Sequence, residues 1–154
     1  MAGPRSPSKD TREGSSPTPM DMDNISTFLS YNSTGLDTIK TNWIRDIVNV
    51  TQSDFISIQE HFKKTKTIDK YFVDQFPDQS SFVVPGYRES GQDSGRPKGG
   101  MAMLSCKNKN VSKKRIKNDS FRIQAQVLNF PRTRLLWINC YMPTDPQKHL
   151  TQQR

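Results

Sequence analysis

The stretch ISTFLSYNSTGLDTIKTNWIRDIVNVTQSDFISIQE, residues 25–60, predicts a strand, a helix and a second strand. Residues 25–32 are apolar, β-branched and aromatic between polar neighbours, which is typical of a strand, and residues 54–60 follow the same pattern. Between them, apolar side chains recur at helical spacing over residues 37–50, with Asp37 as the N-cap. A crossover of this length returns the chain parallel to where it began, so both strands end at the same edge of one sheet.

The chain continues with one more helix and then with strands. A helix over residues 65–76 carries its apolar side chains on one face and is closed by Pro77. Residues 121–130 alternate between apolar and polar and should be half exposed, whereas residues 134–142 are almost continuously apolar and should be central. The further strands are predicted at residues 81–87, 99–107, 121–130 and 134–142.

Composition separates the first 24 residues from the rest. Residues 1–24 consist of Pro, Ser, Gly, Thr and mixed charges without an apolar run, which predicts a disordered tail ahead of a single domain at residues 25–154. Positive charge lies in the second half: residues 1–93 carry 10 Lys/Arg against 13 Asp/Glu, whereas residues 94–154 carry 13 against 2. This asymmetry predicts a polyanionic partner.

The cysteines and the N-terminus bear on the cellular compartment. Cys106 and Cys140 belong to no C-x-x-C pair and are expected to be buried apolar groups in strands, which favours a reducing compartment. The N-terminus has no apolar leader, and no run approaches the ~18 apolar residues of a membrane span. We therefore expect a nuclear or cytoplasmic protein that is neither secreted nor bound in a membrane.

Polar side chains stand where the first two strands end. Asn32 ends the first strand and Glu60 the second. An amide and a carboxylate at one sheet edge could bind hydrated Mg²⁺, which prefers hard oxygen ligands, together with a phosphate oxygen. The alternative is that Asn32 is a turn residue and Glu60 a solvated strand end, and spacing alone favours this alternative.

The strand at residues 134–142 adds an amide and a phenol. Asn139 and Tyr141 are two residues apart, which predicts that they share a face before Pro143 ends the pairing. A tyrosine hydroxyl contacts phosphate or donates a proton, and a neighbouring asparagine can orient it. Taken singly, Tyr141 is more often a packed aromatic with a solvated hydroxyl.

Four stretches together resemble the first motifs of the endonuclease/exonuclease/phosphatase superfamily in order and spacing. They are LSYNSTGL (29–36), FISIQEH (55–61), SGRPKGGMAML (94–104) and LLWINCYMPTD (135–145). They are most similar to the apurinic-type endonuclease domain of non-LTR retrotransposons and of host proteins derived from them. The resemblance covers residues 25–147 and only the N-terminal part of such a domain.

This resemblance implies an α/β fold, a four-layer sandwich of two packed mixed sheets with helices outside, here incomplete. It also implies a phosphodiesterase that uses Mg²⁺, or Mn²⁺ in its place, and cleaves nucleic acid, above all DNA. By motif, Glu60 is a metal ligand, and Asn32 positions the metal or the phosphate. Tyr141 contacts the scissile phosphate, with Asn139 in support. Thr34 stands where some relatives have an acidic residue, which leaves more of the metal binding to Glu60.

The later motifs of the superfamily, a Gly-Asp-x-Asn turn and a Ser-Asp-His ending, do not occur in this sequence. Neither His61 nor His149 follows a Ser-Asp dipeptide, and a structural role for His61 is favoured over catalysis. Residues 25–154 are therefore expected to be a truncated domain with little or no activity alone. The alternatives are a catalytically silent module that binds nucleic acid or another partner, and a chain that does not fold alone. The oligomeric state is left open.

Two basic stretches are candidates for phosphate contact. The glycines of GRPKGG (95–100) let a loop bend into a strand and leave its two cations near the substrate. KNKNVSKKRIK (107–117) tracks a nucleic-acid backbone, forms a solvated hairpin between two strands, or does both. The predicted phosphate contacts are Arg96, Lys98, Lys113, Lys114 and Arg115.

Overall fold

The computed structural model describes residues 25–64, 67–88 and 94–142, and these form two helices and seven strands. The predicted tail at residues 1–24 lies outside them. In chain order the elements are β1 (Phe28–Asn32), α1 (Thr38–Thr51), β2 (Phe55–Gln59), α2 (Ile68–Gln75), β3 (Gln79–Val84), β4 (Met101–Cys106), β5 (Ser112–Ile116), β6 (Ile123–Asn129) and β7 (Arg134–Cys140).

The first sheet is built around the predicted βαβ unit and has the strand order β1-β2-β4-β3. β1 and β2 are parallel, so their last residues, Asn32 and Gln59, lie side by side. β4 runs antiparallel to both of its neighbours, and its first residue, Met101, pairs with Gln59 on one side and Val84 on the other. The ends of β1, β2 and β3 and the start of β4 therefore share one edge, which we call the rim.

Helix α1 begins where the sequence predicts. The Asp37 carboxylate accepts a hydrogen bond from the Lys40 backbone N–H at 2.8 Å, which confirms Asp37 as the N-cap. Ile44 is fully buried beneath the helix. Ile39, which helical spacing assigns to the same apolar face, lies in the first turn of α1 and is 80% exposed.

Two apolar clusters hold the layers together. Helices α1 and α2 cover one face of the first sheet, where the buried residues are Leu36, Ile44, Ile56, Ile58, Ile68, Phe72, Phe76, Ala102 and Leu104. The opposite face packs against a second sheet through Phe55, Met103, Leu128 and Trp137. The Trp137 indole N–H donates to the Ser57 hydroxyl at 3.0 Å, which satisfies both buried polar groups across the interface.

The second sheet is antiparallel, with the order β5-β6-β7. The predicted sandwich of two packed sheets is confirmed, but this sheet is not mixed. Among the described residues, helices lie against the first sheet only, so the molecule has three layers there. Leu136 and Ile138 on the outer face of β7 are 58% and 53% exposed.

The predicted places of the last two strands were wrong. β6, which was expected to be half exposed, is the central strand, and β7, which was expected to be central, lies at the edge. The polar face of β6 points inward: Gln124 is fully buried and donates to the Phe82 carbonyl at 2.9 Å. Amide side chains can occupy this interior because the facing sheet offers them hydrogen-bond partners.

Two smaller expectations also differ from the structure. The basic stretch 107–117 is not a hairpin tip, since residues 112–116 form the edge strand β5. Cys106 is partly buried as expected, but Cys140 is exposed because it faces outward from the edge strand β7.

Within the described parts of the chain, no helix is both long and apolar enough to cross a membrane.

Candidate active site

Glu60 stands at the rim in an unusual backbone conformation. It follows the last residue of β2 with φ at 56°, in the left-handed region that non-glycine residues rarely adopt. Its carbonyl accepts hydrogen bonds from the Gly35 N–H at 2.6 Å and the Ser33 hydroxyl at 3.0 Å. The loop after β1 therefore fastens Glu60 in place, and this offsets a conformational cost of ~1 kcal/mol or more.

Tyr141 meets Glu60 from the second sheet. Its hydroxyl lies close enough to the Glu60 carboxylate for that group to raise the pKa of the phenol. Burial raises the pKa of Tyr141 above its ordinary value, and the hydrogen bond to Glu60, the Glu60 charge and Tyr87 raise it further, while Arg122 opposes them. The phenol therefore stays protonated at neutral pH and can donate. The structure thus brings together the two predicted residues that the sequence places 81 positions apart.

Asn32 lies at the same rim, but its side chain is engaged locally. The amide oxygen accepts from the Thr34 N–H at 3.1 Å, as in a turn closed by an asparagine side chain. The turn alternative therefore describes its present contact. Asn32 still pairs with Gln59 across the parallel strands, one residue before Glu60.

Asn139 is not part of the open site, contrary to its predicted role beside Tyr141. It is 1% exposed and lies between the two sheets. Its amide oxygen accepts from the Gln59 side chain at 2.6 Å, and its NH₂ group faces the Gln124 side-chain oxygen at 3.1 Å. The same NH₂ group approaches the carbonyls of Ile58 and Ala102 at 3.4 and 3.3 Å. Asn139 therefore joins the sheets beneath the rim and cannot touch a substrate.

The basic residues of the glycine-containing loop lie at the rim. The Arg96 guanidinium donates to the Thr34 carbonyl at 2.9 Å and stacks on the Phe62 ring at 4.2 Å from its centroid. Lys98 forms a two-way backbone bridge with Tyr87, at 2.9 and 2.8 Å. The Arg96 guanidinium is thus held at the loop after β1, and the backbone of Lys98 is fixed beside Tyr87.

The cations of β5 are placed differently. Lys113 donates to the hydroxyls of Ser80 and Ser105 at 2.9 and 3.0 Å, and burial lowers its pKa. Arg115 donates to the Ser81 carbonyl at 2.8 Å and stacks on Phe82.

These contacts fasten β5 to β3 and β4, with Lys113 at the end of the sheet far from the rim. Lys113 and Arg115 remain exposed while they contact the first sheet, and their role in phosphate binding stays a prediction. Lys114 lies between them on the exposed outer side of β5.

His61 is a buried structural group. The Lys63 N–H donates to its Nδ1 at 3.0 Å, so Nε2 carries the proton and donates to the Val84 carbonyl at 3.1 Å. Burial lowers the pKa of His61 from 6.5 to about 4. Its hydrogen bonds to the backbone of Val84 and Met101 act in the opposite direction and raise the pKa, but burial outweighs them. The ring is neutral at physiological pH and joins β2 to the end of β3.

Stability should fall in mild acid because of His61. The unfolded chain takes up a proton near pH 6.5 and the folded chain only near pH 4, so stability is lost as pH falls through this window. The loss reaches about 3 kcal/mol by pH 4. Urea unfolding of wild type and His61→Gln between pH 7 and 4 measures this loss. Both proteins have the same carboxylates, so the difference between their pH profiles reports His61. Parallel pH profiles for the two proteins would contradict this assignment.

Sequence reasoning missed the residues around the Tyr141 phenol. Tyr87 and Arg122 are both near enough to affect its pKa, and the Tyr141 N–H donates to the Arg122 carbonyl at 2.9 Å. A methyl group on Gly99 would lie 3.2 Å from the Tyr87 ring and 3.9 Å from that of Tyr141. Their positions in the sequence could have indicated them. Tyr87 ends one predicted strand and Arg122 lies at the start of another, and both of these strand ends lie at the same edge.

The donor set at the rim is sparse for a metal ion. Among residues 25–64, 67–88 and 94–142, no group of three or more His, Cys, Asp and Glu side chains could hold one. Glu60 and the amide of Asn32 are hard oxygen donors on neighbouring strands. Mg²⁺ accepts one or two protein carboxylates when water and substrate phosphate complete its shell, so these residues fit it as a partial site.

Three solved structures are similar to this chain. AP endonuclease LMAP from Leishmania major gives a TM-score of 0.63 at 15% identity, covering 82% of this chain and 43% of that one. The endonuclease domain of TRAS1, a telomere-specific non-LTR retrotransposon, gives 0.54 at 12% identity, covering 83% and 51%. TDP2 from D. rerio, complexed with a single-stranded DNA product, gives 0.54 at 15% identity, covering 80% and 48%.

The chain spans about half the length of these three structures. No protein-family model matches the sequence, and no curated protein matches it significantly. Sequence identities this low establish the fold and nothing finer. The two packed sheets with α1 and α2 on the outer face of the first have the fold of the endonuclease/exonuclease/phosphatase superfamily, to which all three structures belong.

Proposed function

We propose that this protein is a phosphodiester hydrolase of the DNA endonuclease type that depends on Mg²⁺, with Mn²⁺ able to replace it. The observation that carries the proposal is the closeness of Tyr141 and Glu60, which brings a phenol from the second sheet and a carboxylate from the first together at the rim. The similarity of the fold to an AP endonuclease and to a retrotransposon endonuclease domain supports the same reaction class.

Each residue at the rim has a defined task in this proposal. Glu60 and the Asn32 amide hold the cation, which supplies charge to stabilise the phosphate when bound. The protonated Tyr141 hydroxyl donates to a phosphate oxygen and so fixes the diester against Glu60. Arg96 and Lys98 hold the neighbouring phosphates, with affinity that falls as salt rises.

The substrate class follows from charge and from the resemblance of the motifs. The second half of the chain carries 13 Lys/Arg against 2 Asp/Glu, which favours a polyanion over a small neutral ester. One similar structure, TDP2, was solved with a single-stranded DNA product. We therefore propose DNA as the substrate, an enzyme of the retroelement type, and a nuclear or cytoplasmic location.

Nicking of supercoiled plasmid tests this function. We expect wild type to nick slowly in Mg²⁺, because the later motifs of the superfamily do not occur in this sequence, and not to nick in EDTA. Glu60→Gln should be at least ~100-fold slower, because such electrostatic groups are worth ~3 kcal/mol or more at the transition state. Asp69→Asn, the same change of charge on the exposed face of α2, is the matched control and should keep full activity. Equal background nicking by wild type and Glu60→Gln would contradict the proposal.

A further inference from the structure

A cleft of about 620 Å³ opens beside the rim, between the segment after β3 and the loop before β6. This volume lies within the range of small-molecule sites. The proposed roles of Glu60 and Tyr141 do not use it. The lining residues that matter here are Pro85, Tyr87, Pro97, Asn118, Ser120 and Phe121.

The cleft has an aromatic wall. The rings of Tyr87 and Phe121 are in contact, with centroids 4.3 Å apart and planes at 48°. Phe121 is nevertheless 43% exposed, so part of its surface faces the solvent. The Arg122 guanidinium lies over the same ring, 5.1 Å from its centroid. A flat aromatic ligand would find both a stacking surface and a cation here.

The loop that presents Phe121 is held by its own hydrogen bonds. The Asn118 side-chain oxygen accepts from the Ser120 N–H at 3.0 Å, and the Ser120 hydroxyl accepts from the Arg122 N–H at 3.1 Å. Tyr87, on the other side, is fixed by its backbone bridge to Lys98. The wall is therefore ordered before any ligand arrives, which reduces the entropy lost on binding.

The aromatic wall is continuous with the Glu60–Tyr141 pair. A Cβ on Gly99 would lie 3.2 Å from the Tyr87 ring and 3.9 Å from the Tyr141 ring, so both rings lie beside Gly99. Arg122 lies over Phe121 and is also close enough to Tyr141 to lower its pKa. A group stacked on Phe121 and a phosphate at Tyr141 would thus be neighbours, with the Arg122 charge between them.

We propose that this cleft is a nucleobase subsite, in which an unpaired base of the DNA stacks on Phe121 while the adjoining phosphate reaches Tyr141. The inference rests on the proposed function, because it takes the phosphate position from it. Because a base must leave its pairing partner to stack on Phe121, the subsite favours single-stranded or unwound DNA. Stacking is tolerant of base identity, so the subsite selects unpaired bases rather than a sequence.

Binding of two oligonucleotides tests the subsite. One is a fluorescent oligothymidylate, and the other has the same length and phosphates but carries no bases. We expect wild type, in Mg²⁺, to bind the oligothymidylate ~10-fold more tightly, in line with alanine substitutions at stacked bases. Phe121→Ala should remove this preference without changing the affinity for the oligonucleotide that carries no bases. Phe121→Tyr should retain the preference.

The controls separate the subsite from the fold and from the phosphate site. Phe28→Ala removes a phenyl group of similar exposure, 47%, at the start of β1, the end opposite the rim, and should leave the base preference intact. Thermal melts show whether each variant is folded. Glu60→Gln should weaken binding of both oligonucleotides equally.

The outcomes distinguish the two proposals. Equal wild-type affinity for both oligonucleotides, with sensitivity to Glu60→Gln, overturns the subsite and leaves the proposed function standing. A folded Phe121→Ala protein that keeps its base preference also overturns the subsite. Failure of wild type to bind either oligonucleotide overturns the subsite and the proposed function together.

Discussion

Replacing Asn139 with alanine is expected to lower the free energy of unfolding by about 4 kcal/mol, close to the whole stability of many small domains. Asn139 is buried between the sheets and serves the Gln59 and Gln124 side chains and the carbonyls of Ile58 and Ala102. Alanine leaves these groups without their partner and adds a small cavity.

Equilibrium urea unfolding measures this loss, and Asn129→Ala is the matched control. Asn129 lies at the exposed end of β6 and makes a single side-chain hydrogen bond, to the Ser112 hydroxyl at 3.2 Å. Its replacement should cost less than ~0.5 kcal/mol. If Asn139→Ala kept wild-type stability and lost only activity, the role beside Tyr141 that the sequence suggested would be restored.

Replacing Gly100 with alanine is expected to destabilise the rim by about 3 kcal/mol. Gly100 has φ at 85°, and a Cβ there would lie 2.4 Å from the His61 ring. The ring cannot withdraw easily, because it is held by Lys63 on one nitrogen and by Val84 on the other. The variant must therefore break these hydrogen bonds or displace the start of β4.

Gly95→Ala separates crowding from backbone strain. Gly95 has φ at 99°, but a Cβ there would meet nothing within 4 Å. Its replacement carries the conformational cost alone, ~1 kcal/mol. Thermal and urea unfolding of the two variants should therefore differ by about 2 kcal/mol. Equal losses would mean that the His61 contact at Gly100 is not tight.

The first sheet was predictable because its signals are local. The N-cap at Asp37 and the apolar runs around it give β1, α1 and β2 within three residues of their observed ends. The order of strands in the second sheet depends on contacts between distant residues. The apolar residues of β7, Leu136 and Ile138, lie on its exposed face. The residues next to them in the sequence do not indicate that this apolar face is exposed.

The candidate site also contains residues that local sequence could predict and residues that it could not. Strand order predicted that Glu60 and Tyr141 would lie at one edge, and the resemblance of the motifs to the superfamily selected them as candidate site residues. Asn139 and Tyr141 both reach the first sheet, as alternation predicts, but alternation did not show that Asn139 is buried between the sheets. Asn139 is a paired strand residue facing the first sheet, whereas Tyr141 lies beyond the last residue pair. The contacts that Lys113 and Arg115 make with the first sheet were not predicted, because charge alone does not show that a side chain reaches another sheet.

The left-handed backbone of Glu60 has a consequence for protein engineering. Glycine or asparagine adopts this conformation with less strain than glutamate does. A library screened only for heat resistance would therefore be enriched in those residues at this position and would lose the carboxylate. Screening for thermostability in this protein should be paired with selection for the proposed nicking activity, since stability favours glycine or asparagine at residue 60 and the proposed activity requires glutamate.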